Sequence, residues 1–152
     1  MSIRFEEINE SNCEECARLK VMNGQEKYLR SNGAALVYWK FYPHWSALAI
    51  YEEDNMVGFL MYGVDYMDDT MNIISFMIDE RYQGRGYGKA AVEKLIDRMK
   101  EEAAGRQIWV GVHPRNVEAQ KLYSKFGFKR SDTYTSEHDE IFFVLENGEI
   151  SA

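Results

Sequence analysis

The chain has 152 residues, about 45% of them apolar and 14% aromatic, with 18 basic side chains against 25 acidic ones for a net charge of −7. That length and apolar content suit one domain with one core, residues 1–152, and exclude wholesale disorder. The acidic balance disfavours nucleic acid, whose phosphates need a basic face, and favours a cationic partner drawn in by the summed field.

The first residues, Met1-Ser2-Ile3-Arg4-Phe5-Glu6-Glu7-Ile8, hold no basic stretch followed by an apolar one, so no signal peptide is read. No run approaches the roughly 18 apolar residues of a membrane helix. A cytoplasmic protein with no membrane partner is expected. Residues 3–8 alternate enough for a first strand. Ser11 or Asn12 can cap a helix running through Cys16 to about Val21. Cys13 and Cys16 have the spacing of a redox pair. They stand near the chain start, far from any βαβ pattern, and a zinc site wants more ligands. Two thiols on a helix face are the plainer reading.

Residues 25–40 carry mixed helical signals, broken around Ser31-Asn32-Gly33 and ended by Pro43. Residues 47–52 read as a strand, Glu53-Asp54-Asn55 as a tight turn, and residues 56–62 as the returning strand. An acidic connection over 65–70 leads to a third central strand over 71–78. Residues 87–104 form the clearest helix: Val92, Leu95, Ile96, Met99 and Ala103 share one face, and Gly105 stops it. A strand follows over 108–112. Asn116 caps a short helix through Lys125, which Gly127 ends, and residues 128–134 and 140–145 read as a closing hairpin. The order β-α-α-β-β-β-α-β-α-β-β predicts an α+β fold, a mixed sheet with helices on both faces. His44, His113 and His138 are isolated; none is read as a ligand, and no metal is expected.

Three glycines, Gly84, Gly86 and Gly88, stand between the third central strand and the long helix. Amides at a helix N-terminus have no intrahelical partner, and the dipole adds partial positive charge there. Glycine lets the backbone approach an anion closely. Strand, glycine loop and amphipathic helix together predict a phosphate site, with Arg85 and Lys89 adding charge. The loop lacks the Gly-Lys-Ser/Thr ending of the P-loop. Gly84 and Gly86 match the first two glycines of the dinucleotide fingerprint, but its third falls on Lys89, and hairpin-ordered strands precede the loop.

What remains, Gln83-x-x-Gly86-x-Gly88 after a strand, resembles the acetyl-CoA signature of the GNAT N-acetyltransferase superfamily. The resemblance is most specific at Asp79-Glu80-Arg81-Tyr82-Gln83-Gly84-Arg85-Gly86-Tyr87-Gly88-Lys89. A second piece begins about 30 residues on, from Asn116-Val117-Glu118-Ala119 through Leu122-Tyr123 to Phe126-Gly127-Phe128. The resemblance implies a mostly antiparallel sheet of about seven strands, splayed at the cofactor cleft, with acetyl-CoA as co-substrate. It implies that the pyrophosphate rests on amides of Gly84, Arg85, Gly86, Tyr87, Gly88 and Lys89, and that the pantetheine arm pairs with Phe76, Met77 and Ile78. Tyr123 takes the position of the family's general acid; spacing alone, with Ala119, Leu122 and Phe126 as neighbours, favours a core aromatic. Asn116 takes that of a CoA-contacting residue and is equally an N-cap.

Three stretches look like the small bacterial diamine and spermidine/spermine acetyltransferases: residues 76–84, Val57-Gly58-Phe59-Leu60-Met61-Tyr62-Gly63, and Gln25-Glu26-Lys27-Tyr28-Leu29. They imply a small cationic amine as acceptor. The family's strand carboxylate is missing, because Ile73, Ile74 and Ser75 hold its positions. The base is then a water chain or an acid such as Glu26, Glu52 or Asp65. With Asp68 and Asp69 these either ring an acidic cleft or belong to a generally acidic surface. A peptide or aminoglycoside acceptor, or a non-catalytic acyl-CoA-binding module, stands as the alternative. Dimers are common in the family, and a homodimer is carried as an expectation.

Overall fold

The computed structural model describes residues 1–135 and 139–145. The elements are β1 (Ile3–Glu7), α1 (Cys13–Arg18), α2 (Asn32–Phe41), β2 (Ser46–Glu52), β3 (Asn55–Asp65), β4 (Thr70–Ile78), a 3-10 turn (Glu80–Tyr82), α3 (Tyr87–Glu102), β5 (Ile108–Val112), α4 (Val117–Lys125), β6 (Lys129–Thr135) and β7 (Glu140–Leu145). The strands are hydrogen-bonded in the order β1-β2-β3-β4-β5-β7-β6. β4 and β5 run parallel, while β1–β2, β2–β3, β5–β7 and β6–β7 are antiparallel, so the sheet is mixed and mostly antiparallel. Among the described residues no helix is long and apolar enough to cross a membrane.

Contacts divide the chain into two units. The first joins Met1–Gly63 to Ile74–Ala91. Its β2 is buried almost throughout, and β3 is buried from Met56 to Gly63. Two glycines make this packing close. A Cβ on Gly58 would run into the Met77 carbonyl, and one on Gly63 into the Trp45 ring. Ile8, Cys16, Leu19, Ala35, Ala47, Phe59, Met61 and Met77 form the core. The predicted break at Ser31-Asn32-Gly33 is a helix start: Ser31 Oγ accepts from the Ala34 amide at 3.1 Å and caps α2. Residues between Arg18 and Asn32, read as partly helical, form turns. Their sequence has no sustained apolar period, and α1 ends with an extended C-cap at Leu19.

The second unit joins Val64–Ile73 to Val92–Ala152. Within it β4 pairs β5 over Met71↔Ile108, Asn72↔Trp109 and Ile73↔Val110. That ladder ends where β4 passes into the other unit. Val92, Leu95, Ile96, Met99 and Ala103 are all buried, as their spacing predicts, and so are Ile108, Val110 and Val112 of β5. Shortly after α3 ends at Glu102, Ala104 and Gly105 both have positive φ and turn the chain away from the helix.

The Cys13 and Cys16 thiols are both free. Burial, then the charges of Cys13 and Glu15, pushes the Cys16 thiol up to about 12. A folded pKa above the ordinary 9.0 means the buried neutral thiol contributes fully below pH 9.0, and that contribution is lost as pH rises toward 12. Urea melts between about pH 8 and pH 11 should therefore show Cys16→Ala losing less stability with pH, by about 1.4 kcal/mol per unit in the window where only the unfolded thiol ionises. Equal slopes in both proteins would refute this account of Cys16.

Candidate active site

The first unit carries the glycine loop. Its foundation is Asp79, which is 3% exposed and closes β4. The Asp79 amide donates to the Val57 carbonyl at 2.8 Å. Its Oδ1 accepts from the Arg81 amide at 3.0 Å and from Arg81 Nε at 2.7 Å, and its Oδ2 accepts from the Lys20 amide at 3.0 Å. Burial alone would raise this carboxyl. The bonds from the Arg81 guanidinium, the Lys20 amide and the Arg81 amide outweigh it and hold the carboxyl below its ordinary range. Gln83 then donates through Nε2 to the Ile78 carbonyl at 2.9 Å and exchanges hydrogen bonds with the Gln25 side chain at 3.0 and 3.3 Å. Strand end and loop are thus fixed before the first glycine.

Gly84 and Gly86 follow with φ of +76° and +87°, left-handed conformations that a side chain resists. A Cβ on Gly84 would meet nothing within 4 Å, and one on Gly86 would meet only Met1 Cε, at 3.5 Å. The space over both is open, and a side chain there would fill it. The Ala90 amide, donating to the Gly86 carbonyl at 3.1 Å, begins the α3 ladder. The amides of Tyr87, Gly88 and Lys89 come before that bond and have no acceptor within the helix. Arg85 and Lys89 are exposed, and the Arg85 guanidinium lies 5.7 Å from the Tyr82 ring centre. Bare amides at a helix start, open space and two cations suit a diphosphate. Of the strand residues expected beside it, Met77 and Ile78 are buried and Phe76 is half-buried.

The first unit also holds a pocket of about 230 Å³. Leu19, Val21, Leu29 and Met77 give it an apolar lining; Lys20, Glu26 and Arg30 add charge of both signs. Asn32, also on its wall, is 5% exposed and donates to the Cys16 carbonyl at 2.9 Å. Of the three carboxylates picked from sequence, Glu26 lines this pocket, with Oε2 accepting from the Gly24 amide at 2.7 Å. Glu52 does not line it and accepts from the Ser2 amide at 3.0 Å. Asp65 belongs to the second unit and accepts from the Met67 amide at 2.9 Å.

In the second unit Asn116 Oδ1 accepts from the Ala119 amide at 3.2 Å, the N-cap expected for α4. Tyr123 on α4 is 4% exposed and meets the Phe128 ring edge-on, 5.5 Å between centres. Burial pushes its phenol well above the usual tyrosine value, so it keeps its proton across ordinary pH. His113 Nδ1 accepts from the Arg115 amide at 3.1 Å, and Nε2 faces Asp139 at 3.3 Å. His138 lies outside the described residues. Sequence reasoning passed over Glu140, whose carboxylate occupies the space a Cβ on Gly111 would take, beside the Phe142 ring. A lone glycine inside strand β5 was the available signal of such a close approach.

A family model described as Acetyltransferase (GNAT) family matches residues 12–128. The spermine/spermidine N(1)-acetyltransferase of Bacillus subtilis (strain 168) is 33% identical over 135 residues, which is 85% of this chain and 89% of that protein. A ribosomal protein bS18-alanine N-acetyltransferase of Haemophilus ducreyi is 28% identical over 79 residues, 52% of each chain. Among solved structures, the spermidine N-acetyltransferase from Vibrio cholerae, in complex with CoA and spermine, has a TM-score of 0.74 at 13% identity. It covers 97% of this chain and 98% of that one, a likeness of fold.

Valine at position 86 would put a β-branched side chain on a left-handed backbone and over the bare amides. Gly86→Val is expected to raise the calorimetric Kd for coenzyme A roughly tenfold, from about 1–2 kcal/mol of strain and lost approach. Unchanged affinity would contradict the phosphate-cradle account.

Proposed function

Because the chain belongs to the acetyltransferase (GNAT) family, we propose that it acetylates a primary amine of a small cationic acceptor, a polyamine or diamine, by direct attack in a ternary complex. N-acetyltransfer is the chemistry of the family. The acceptor assignment is carried by one observation, the 33% identity across 85% of the chain to a protein named spermine/spermidine N(1)-acetyltransferase. A net charge of −7 supports a cationic acceptor.

Acetyl-CoA supplies the acetyl group as a thioester, already activated toward nitrogen. On the side of the chain, the amides of Tyr87, Gly88 and Lys89 hold the diphosphate, with Gly84 and Gly86 leaving room and Arg85 and Lys89 adding charge. The backbone at Phe76, Met77 and Ile78 pairs with the pantetheine arm, and Asn116 contacts the cofactor as well as capping α4. An alkylammonium with pKa ~10.4 must lose a proton before it attacks. A water chain or a carboxylate takes that proton; Glu26, Glu52 and Asp65 are the sequence candidates, and of these Glu26 lines the pocket. As the nitrogen–carbon bond forms and the carbon–sulfur bond breaks, the Tyr123 hydroxyl protonates the departing thiolate, and the second proton, shed by the acylated nitrogen, returns the tyrosine to its neutral form.

A second acceptor class, the α-amine of a peptide or protein, is favoured by the mixed charge of the pocket, where Lys20 and Arg30 accompany Glu26. Thiol release from acetyl-CoA, followed with spermidine, spermine, putrescine, aminoglycosides and short peptides, separates the readings. Polyamines should turn over fastest. Turnover of peptides alone would remove the polyamine assignment, and background hydrolysis with every amine would remove the transferase reading. Tyr123→Phe should lower kcat by roughly 10², the ordinary worth of a general acid, with coenzyme A affinity little changed. Wild-type turnover in that variant would leave Tyr123 a packing residue only.

A further inference from the structure

We propose that the pocket lined by Leu19, Lys20, Glu26 and Met77 receives the amine and that Asp79 is a positioning residue that ties its wall to the diphosphate loop, so that filling one site orders the other; the diphosphate loop and the cationic acceptor are those of the reading above.

Leu19, Lys20, Val21, Asn23, Glu26 and Leu29 line the pocket, yet residues 19–31 form no helix or strand. A segment without its own helix or strand takes its order from the bonds it makes elsewhere. Here those bonds converge on the loop just before the glycines. The peptide groups of Lys20 are used from both sides: its amide donates to Asp79 Oδ2 at 3.0 Å, and its carbonyl accepts from the Glu80 amide at 2.7 Å. Five residues on, the Gln25 amide pairs reciprocally with that of Gln83. Gln25 Oε1 also accepts from the Met22 amide at 3.2 Å, which shapes the intervening turn. Val21 and Asn23 of the pocket wall thus lie between two ties, with Lys20 forming the first and Glu26 next to the second.

The ties end at Asp79 and Gln83, and Gly84 is next in the chain. A carboxylate is required at 79. Its two oxygens accept three N–H bonds, two from backbone amides and one from Arg81 Nε. An asparagine would turn an NH2 group toward one of those donors. Lys20 lines the pocket and Arg81 does not, so the bond to the Lys20 amide is the part of this cluster that reaches the pocket. A diphosphate that stiffens the glycine loop stiffens these two anchors, and through them the wall that the amine must meet.

The test compares wild type, Asp79→Asn, Asp79→Glu and Gln25→Ala. Hydrogen exchange of residues 20–28 is followed with and without coenzyme A, and acceptor KM is measured for whichever amine turns over. Coenzyme A should slow exchange of these residues in wild type. In Asp79→Asn this protection should be lost, and the KM of each substrate, measured with the other saturating, should rise roughly tenfold, an ordinary coupling felt equally from both sides, while the calorimetric Kd for coenzyme A alone moves less than about threefold. Asp79→Glu should restore neither. Gln25→Ala, which cuts the second tie with a half-buried side chain, should give the same pattern more weakly and keeps the test open if Asp79→Asn fails to fold. Equal protection in the variants, or a rise in the KM of one substrate alone, or a Kd for coenzyme A alone that rises as much as the KM values, would overturn the coupling. If no amine turns over in wild type, the acceptor assignment fails, while the exchange measurement still decides whether Asp79 links the two segments.

Discussion

The first turn of an α-helix has amide hydrogens that its own ladder cannot use, and in α3 they belong to Tyr87, Gly88 and Lys89. In most helices a side chain just before the start supplies the acceptor. Here the residues before the start are Arg85 and two left-handed glycines, Gly84 and Gly86. A guanidinium only donates and glycine has no side chain, so none of the three can accept a hydrogen bond. The backbone is left bare beside two cations. That one local choice makes the end of β4 a place for an anion, and the proposed handling of acetyl-CoA depends on it.

The rest of the first unit serves to hold that turn still. Asp79 anchors the strand end from within the protein, with oxygens shared among three donors. Gln83 clasps the Ile78 carbonyl. Gly58 lets β3 lie close under the Met77 carbonyl. A chain whose strand end wandered could offer the same amides but not aim them. The second unit brings a different resource: a phenol whose neutral form is favoured by burial, on a short helix capped by Asn116 and ended at Gly127, which has φ of +96°.

Much of this was legible in the sequence because it is written locally. The buried face of α3 follows from the spacing of Val92, Leu95, Ile96 and Met99. The Asn116 cap follows from an asparagine ahead of an amphipathic run. The glycine loop follows from three glycines at alternate positions between a strand and a helix. What was not legible is written over distance. The turns at 19–31 take their order from hydrogen bonds to residues 58 and 59 positions away, at Gln83 and Asp79. One of those bonds uses the backbone amide of Lys20, which no side-chain pattern advertises. Glu140 was missed for the same reason, since only the pairing of β5 with β7 brings it over Gly111. The acidic composition likewise says nothing of where charge collects: among the predicted carboxylates only Glu26 lines the pocket, in company with Lys20 and Arg30.

The central claim is that main-chain hydrogens at the start of α3 grip a diphosphate. Amide resonances of Gly84, Arg85, Gly86, Tyr87, Gly88 and Lys89 can be followed while coenzyme A is added, with pantetheine as a phosphate-free control. The account predicts large shifts at these amides with coenzyme A and small ones with pantetheine. Shifts that gather elsewhere, with these six unmoved at saturation, would contradict it.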